Sequence, residues 1–157
     1  MPPSRQLEAS EALSHGPAAH SCTLTVPSAI ESLAAVRDFV AASAAALGIP
    51  DHDAHHFQLA AEEACTNIIH HGVAGLRGAD SAILLELTSH ATGWTLTIRD
   101  RGRPFDPASL PSPDLRASLR RRRPGGLGVY LIRSLMDDVC YHSSDGENRL
   151  SLTRRRA

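Results

Sequence analysis

The chain has 157 residues, and its apolar share of 42% is ordinary for a single globular domain. Its 16 basic and 17 acidic residues give a formal net charge of −1, so we expect no nucleic acid as a direct partner. No stretch approaches the roughly 18 uncharged apolar residues of a membrane span, so no membrane contact is predicted. The three cysteines lack CxxC spacing and no signal peptide is visible, which predicts a cytoplasmic protein without a disulfide framework.

The N-terminal part predicts a tail, a strand and a helix. Residues 1–19 have no sustained hydrophobic period and are predicted to form a flexible tail. Residues 22–26 alternate in polarity, which predicts an opening strand. Ser28 and Glu31 have the spacing of a capping box, so the first helix is expected to begin at Ser28. Gly48 is expected to end it.

The remainder of the chain predicts an α/β (α+β) two-layer sandwich. In chain order, its elements are a helix from Asp51 or Asp53 to His71, strands at 81–89 and 92–100, a long segment at 101–124, a helix from about Gly125 to Asp137, and strands at 138–143 and 147–153. At most five strands, in a mixed or mostly antiparallel sheet, would cover three helices. The segment 101–124 contains five prolines and is interpreted as a lid over a binding site.

Three polar residues follow one another along the second predicted helix. Glu63, Asn67 and His71 are spaced four residues apart and therefore share one face. An amide oxygen is a suitable ligand for Mg²⁺, and a carboxylate one turn away can deprotonate a hydroxyl group or a water molecule. A solvated face with a simple hydrogen bond between neighbouring turns explains the same spacing equally well.

A second candidate feature stands at the end of the third predicted strand. Asp100 closes the strand, and Gly102 allows the chain to turn sharply after it. A carboxylate in this position can accept a hydrogen bond from an exocyclic amine such as that of adenine. An ordinary turn capped by the aspartate is the alternative interpretation.

Glycines open the third predicted helix, in the sequence Gly125-Gly126-Leu127-Gly128. Backbone amides at a helix N-terminus attract anions, because the helix dipole is positive there. Neither of the two common phosphate-binding templates, GxGxxG and GxxxxGK[ST], is present. By itself, the glycine run indicates a phosphate site only weakly.

Together the three features resemble the N, G1 and G2 boxes of the GHKL ATPases, which share the Bergerat fold. The resemblance is closest to the anti-sigma factor serine kinases. It is carried by the sequences EEACTNIIHHG, IRDRGRPFDP and GGLGVYLIRSLMDDVCY, and it covers roughly residues 21–153. It implies one histidine-kinase-like ATPase domain at about 20–154, with the lid inside it.

The resemblance also implies a role for each matching residue. Glu63 corresponds to the catalytic base and Asn67 to the Mg²⁺ ligand, while Asp100 corresponds to the aspartate that binds the adenine amine. The ATP-binding residues implied in total are Asn67, His71, Asp100, Gly102, Phe105, Arg123, Gly125, Gly126, Leu127 and Gly128. The chain departs from the family pattern at Pro104, which replaces the second glycine of the first glycine box and removes a backbone N–H.

The function implied is that of an ATP- and Mg²⁺-dependent protein-serine kinase and anti-sigma factor. Such a kinase phosphorylates a serine of a STAS-domain antagonist, sequesters a sigma factor and forms a homodimer. The alternative is a non-catalytic switch that binds adenine nucleotides and holds a partner without phosphorylating it. The ATPase part of a larger histidine kinase is a less favoured third interpretation.

Several other features have simpler interpretations. His52 and His56 are four residues apart, but no third ligand of defined spacing follows, so they are interpreted as surface histidines. Cys65 is interpreted as a buried thiol rather than a nucleophile. The arginines at 120–123 are predicted to be either a solvated part of the lid or a phosphate sensor, and those at 154–156 a solvated tail.

Overall fold

A computed structural model describes residues 20–71, 81–106 and 126–157. The strands are β1 (His20–Pro27), β2 (Ala82–Ser89), β3 (Gly93–Asp100), β4 (Asp138–Ser144) and β5 (Glu147–Arg155). The α-helices are α1 (Leu33–Ala46), α2 (Asp51–His71) and α3 (Gly126–Leu135). The predicted tail at 1–19 and most of the predicted lid, from 107 onward, lie outside the described residues.

The five described strands form one antiparallel sheet in the order β1-β2-β3-β5-β4. Alternate residues of β2 and β3 are fully buried, including Ile83, Leu85, Leu96 and Ile98. Helix α2 lies between α1 and α3 and also contacts β3. The prediction of a two-layer α+β sandwich is therefore confirmed, and the described sheet contains no parallel pair.

The predicted capping box at Ser28 is wrong. Ser28 stays with the sheet, since its N–H donates to the carbonyl of Ser81 at 2.8 Å. A short 3-10 turn, Ile30–Ser32, then leads into α1, and Ala29 before it makes no side-chain cap. The turn is closed instead by the Ser32 hydroxyl, which donates to the carbonyl of Pro27 at 2.7 Å.

The prediction of a solvated tail at residues 154–156 is right about the exposure of Arg155 and Arg156 but wrong about Arg154 and about a tail. Strand β5 extends to Arg155, and Arg154 is only 17% exposed because it forms an ion pair with Asp53 of α2 at 2.7 Å. Arg156 lies over the ring of Trp94, 4.5 Å from its centroid. These arginines fasten the last strand to the beginning of α2 and to β3.

The turn between β4 and β5 agrees with the prediction. Asp145 and Gly146 have φ angles of 54° and 77°, so both central residues lie in the left-handed region. An Asp-Gly pair tolerates this conformation, which matches the twist of the two strands. The hairpin aligns Ser143 with Asn148 and thereby carries Asn148 to the end of β3.

Candidate functional site

A small cleft with a cavity volume of about 30 Å³ lies where α2 passes the ends of β3 and β5. Its walls combine apolar side chains with a few polar ones. They are formed by Ala64, Asn67, Ile68, Asp100, Arg103, Phe105, Tyr141 and Leu150. A mostly apolar cleft with a small number of polar groups is typical of a site for a small organic ligand.

Asn67 provides the polar group on the α2 wall of the cleft. The residue is 7% exposed, and its Nδ2 atom is buried without a hydrogen-bond partner among the residues that the structure describes. A buried amide that lacks a partner costs free energy unless a ligand satisfies it. The unpartnered N–H₂ group is a donor and, in this orientation, suits an acceptor atom of a ligand; the Mg²⁺ implied by the resemblance requires the amide to be turned so that its oxygen faces the cleft.

Glu63 lies one turn before Asn67 on α2 and faces the first turn of α3. A Cβ atom built on Gly128 would overlap Glu63 Oε2 and would lie 3.3 Å from its Cδ. The carboxylate thus occupies the space that any larger residue at position 128 would need. Burial raises the pKa of Glu63 above its usual value, and the negative charge of Glu62 raises the pKa further.

Asp100 closes β3 and is 8% exposed. Its Oδ1 atom accepts the backbone N–H of Gly102 at 2.8 Å, which is the turn expected from the sequence. The same residue also lines the cleft, so the turn and the binding interpretation are compatible. The structure brings Asp100 to the cleft that also contains Asn67, and Gly102 lies beside the cleft through its bond to Asp100.

Asn148 is a site residue that the sequence interpretation missed. It is 2% exposed, and its Nδ2 atom donates to Asp100 Oδ1 at 3.0 Å and to the Gly102 carbonyl at 2.9 Å. A polar residue inside the alternating pattern of β5 was the only available signal. That signal does not identify the partner strand.

Phe105 lines one side of the cleft, and His71 packs against its ring. Their rings are stacked, with centroids 5.5 Å apart and planes 15° from parallel. The N–H of Phe105 donates to the Tyr141 hydroxyl at 2.9 Å, which ties the segment after β3 to β4. Pro104, where the chain departs from the family pattern, is exposed.

The glycine segment is described only in part. Helix α3 begins at Gly126, so Gly126, Leu127 and Gly128 form its first turn as predicted. Arg123 and Gly125 lie outside the described residues, as does the arginine run at 120–123. Their predicted contacts with phosphate stay predictions.

A histidine cluster lies apart from the cleft, at the beginning of α2. Ligand atoms of His52, Asp53 and His56 lie within 4.8 Å of one another, so Asp53 joins the pair noted in the sequence. The Asp53 carboxylate is held by Arg154, however, through contacts of 2.7 Å and 2.9 Å. A guanidinium beside the cluster opposes the binding of a cation there.

The cysteines agree with the prediction. All three are free, and Cys65 on α2 is fully buried. Burial, with a smaller contribution from the charge of Asp100, raises the pKa of Cys65 to about 12. The thiol therefore stays protonated and is not a nucleophile.

The fold and the cleft define a class of protein. A five-stranded antiparallel sheet carries the three described helices; on the central helix, the Glu63 carboxylate faces a glycine-opened helix end and the Asn67 amide lines the cleft one turn further on. This arrangement is that of an α+β ATPase domain. The chain belongs to the histidine kinase-like ATPase domain family, whose profile matches residues 26–154.

Relatives with curated names narrow the family further. The serine/threonine-protein kinase BtrW of Bordetella bronchiseptica is 39% identical over 99 residues, which are 63% of this chain and 68% of the relative. The serine-protein kinase RsbW of Bacillus pumilus is 24% identical over 127 residues, 78% of each chain. These names support the predicted enzyme class, a serine/threonine protein kinase of the anti-sigma factor type.

Solved structures support the fold. The structure of the RsbU and RsbW domains of Rv1364c from Mycobacterium tuberculosis aligns with a TM-score of 0.59 and 17% identity, over 87% of this chain and 32% of that one. This chain therefore spans about a third of that longer protein. The SiaB–SiaC complex from Pseudomonas aeruginosa aligns with a TM-score of 0.63 and 14% identity, over 85% and 88% of the two chains. Among the described residues, no helix has the length and hydrophobicity to cross a bilayer.

Proposed function

We propose that this protein is an ATP-dependent protein-serine kinase that also acts as an anti-sigma factor. The observation that carries the proposal is the position of the Glu63 carboxylate against Gly128, in the first turn of α3. Asn67 lies one turn further along α2, in the cleft that ends at Asp100. A triphosphate nucleotide would then lie with its base at Asp100 and its phosphates at the beginning of α3.

Asp100 is proposed to bind the base. Its Oδ1 atom is occupied by the N–H of Gly102, and the carboxylate can accept a hydrogen bond from the exocyclic amine of adenine. The rings of Phe105 and His71 and the apolar walls of the cleft would cover the base. Gly102 keeps the chain close to the pocket as it turns away from β3.

The beginning of α3 is proposed to bind the phosphates. Its first turn, at Gly126–Gly128, has free backbone N–H groups and the positive end of the helix dipole. Asn67 would hold Mg²⁺ through its amide oxygen, and the ion would reduce the charge on the phosphates when bound. Arg123 and Gly125 belong to the same proposal on the basis of the resemblance alone.

Glu63 is proposed as the catalytic base. It would accept the proton of a serine hydroxyl while the serine oxygen forms a bond to the terminal phosphorus of ATP and the bond from that phosphorus to ADP breaks. The raised pKa of Glu63 makes the carboxylate a stronger base than an exposed glutamate. Its position beside the glycine-opened turn places it close to where the phosphates would lie.

The proposed protein substrate is a STAS-domain antagonist, and the proposed second partner is a sigma factor. The resemblance to the anti-sigma factor kinases implies both partners, and several relatives carry the name serine-protein kinase RsbW. The same resemblance implies a homodimer and a cytoplasmic location. These partners remain part of the proposal rather than of the described site.

The first experiment tests the nucleotide site without any partner. Calorimetry with ATP and Mg²⁺ is expected to show binding by the wild type and a clear loss of the Mg²⁺-dependent part in Asn67→Ala. Thr66→Ala is a matched control, because Thr66 also lies on α2 but its hydroxyl bonds to the Glu62 carbonyl of its own helix at 2.7 Å. If the wild type does not bind ATP, the proposal is wrong.

The second experiment tests the transfer. The protein is incubated with Mg²⁺, ATP and its cognate STAS-domain protein, and phosphoserine on that protein is measured. The alternative of a non-catalytic switch is favoured by the departure at Pro104, and it predicts partner binding that depends on nucleotide without any phosphoserine. The absence of transfer together with nucleotide-dependent binding would establish the alternative.

A further inference from the structure

The ends of β3 and β5 meet in a closed set of hydrogen bonds around Asp100. Asp100 and Asn148 are directly opposite each other in the antiparallel register, and both are buried. Asn148 Nδ2 donates to Asp100 Oδ1 at 3.0 Å. The bond therefore joins a residue of the cleft to a neighbouring strand.

The amide of Asn148 is held in one orientation. Its Nδ2 atom also donates to the Gly102 carbonyl at 2.9 Å, and its Oδ1 atom accepts the Ser143 hydroxyl at 2.8 Å. A flipped amide would place its oxygen against two acceptors, Asp100 Oδ1 and the Gly102 carbonyl. Such a contact is unfavourable, so the donor side of Asn148 must face Asp100.

The consequence for Asp100 is a carboxylate with two different oxygens. Oδ1 accepts both the Asn148 amide and the Gly102 N–H, at 3.0 Å and 2.8 Å. Among the described residues, neither bond uses Oδ2, and Asp100 lines the cleft. With Oδ1 fixed at two points, the carboxylate cannot rotate freely to suit a different ligand.

We propose that Asn148 is a positioning residue that sets the preference of the site for a 6-aminopurine over a 6-oxopurine. This inference rests on the proposed function and deepens it. A fixed carboxylate oxygen accepts the amine of adenine but repels the carbonyl oxygen of guanine, since both of those oxygens are acceptors. A carboxylate released from Asn148 can turn and accept the N1–H and 2-amino N–H groups, which lie beside that carbonyl on the same edge of guanine.

A merely structural role for Asn148 makes a different prediction. If the bond only closed the end of the sheet, its loss would weaken the binding of every nucleotide by the same factor. A positioning role changes the ratio of two affinities instead. The decisive quantity is therefore the preference for ATP over GTP, and not the affinity for ATP alone.

The test compares dissociation constants for ATP and GTP, measured by calorimetry with Mg²⁺, in the wild type, Asn148→Ala and Asn148→Ser. We expect a strong preference for ATP in the wild type and a decrease of that preference by about tenfold or more in both variants, since one directed hydrogen bond to a charged group accounts for that much. Ser143→Ala, which removes the bond to Asn148 Oδ1 together with a side-chain hydrogen bond to Tyr141, is expected to produce a smaller decrease in the same direction. Ser143 is exposed, so this third variant keeps the test available if the buried substitutions prevent folding.

Thr153→Val is the matched control. The Thr153 hydroxyl is 3.2 Å from the Thr95 hydroxyl, so this substitution also removes a side-chain bond between β3 and β5, but away from the cleft. It is expected to leave the preference for ATP unchanged. If the wild type prefers ATP and the folded Asn148 or Ser143 variants keep its full preference, the inference is overturned while the proposed function stands. If the wild type binds neither nucleotide, the proposed function itself fails.

Discussion

The carboxylate of Glu63 occupies the space beside Gly128 that a side chain would fill. The three atoms nearest to a Cβ built at position 128 all belong to Glu63, with Cδ at 3.3 Å and Cβ at 3.8 Å. The contact joins the middle of α2 to the first turn of α3. The Glu63 carboxylate, which is the proposed base, can therefore occupy this position only because residue 128 has no side chain.

Gly128→Ala is expected to reduce phosphoryl transfer without destabilising the fold. The new methyl group would displace the flexible end of Glu63, whereas alanine within a helix is more favourable than glycine by about 0.5–1 kcal/mol. We expect at least a tenfold lower transfer rate and an unchanged or higher midpoint of denaturant unfolding. Ser134→Ala, at an exposed position of the same helix, is the control.

The double variant shows whether Gly128 acts through Glu63. In a Glu63→Gln background, Gly128→Ala should cause little additional loss, because substitutions that act on one contact are not additive. Full activity in the single Gly128→Ala variant would contradict the proposed position of the base.

Glu63→Gln is expected to stop transfer but to preserve nucleotide binding. Glutamine has the shape of glutamate but cannot accept the serine proton, and general base catalysis typically contributes about 10²–10⁴-fold to a rate. The measurements are single-turnover phosphoserine formation and the dissociation constant for ATP. Glu62→Gln is the matched control at neutral pH, since Glu62 is 3.9 Å from Arg37 and belongs to the other side of α2. Equal rates in the two variants would remove Glu63 from its proposed role.

The polar row of α2 was predictable because its signal is local. Glu63, Asn67 and His71 repeat at the helical spacing, and one helix is enough to align them. The turn at Asp100 and Gly102 is equally local. Phe105 reached the predicted site only through the resemblance, because its contact with His71 depends on how the segment after β3 returns to α2.

The residues that were missed or misinterpreted depend on distant pairing. Asn148 lies 48 residues after Asp100 and meets it only because β5 pairs with β3 in the sheet. Arg154 reaches Asp53 across 101 residues. Ser28 had the spacing of a helix cap, but its N–H donates to the carbonyl of Ser81, the residue just before the neighbouring strand β2. Neither register nor strand order can be read from such local spacing.

As the pH is lowered, the rate of transfer is expected to decrease. This decrease should begin at a higher pH than it would if the base were a glutamate with an ordinary pKa. Glu63 acts as a base only when it is deprotonated, and burial raises its pKa above the usual 4.5. The charge of Glu62 is the smaller of the two causes of this shift. Removal of that charge in Glu62→Gln should lower the pKa of Glu63 and move the acidic limb of the profile to lower pH, although only in part.

The measurement is kcat/KM for the STAS substrate as a function of pH in the wild type and Glu62→Gln. The titration of ATP affects both proteins equally, so the difference between their profiles reports on Glu63. A shift of the acidic limb to higher pH in Glu62→Gln would contradict the assignment.

Arg154→Ala is expected to lower the free energy of unfolding by about 2–3 kcal/mol, because it leaves a poorly exposed carboxylate without its partner. The Arg154 guanidinium contacts Asp53 at 2.7 Å and donates to the Leu135 carbonyl at 3.0 Å, so one side chain connects β5 with the beginning of α2 and the end of α3. Arg154→Lys should recover only part of the loss, since an ammonium group cannot reproduce this planar arrangement. Denaturant unfolding can be followed by the fluorescence of Trp94, which is the only tryptophan of the chain and is 2% exposed.

Arg155→Ala is the control that distinguishes the loss of this ion pair from the loss of a positive charge at the end of β5. Arg155 contacts Asp137 through its backbone N–H at 2.7 Å, so the loss of its exposed side chain should change the free energy of unfolding by less than about 0.5 kcal/mol. A double-mutant cycle with Asp53→Ala then measures the coupling between Arg154 and Asp53 directly. Equal losses in Arg154→Ala and Arg155→Ala, or a coupling energy near zero, would show that the pair does not fasten the last strand to α2.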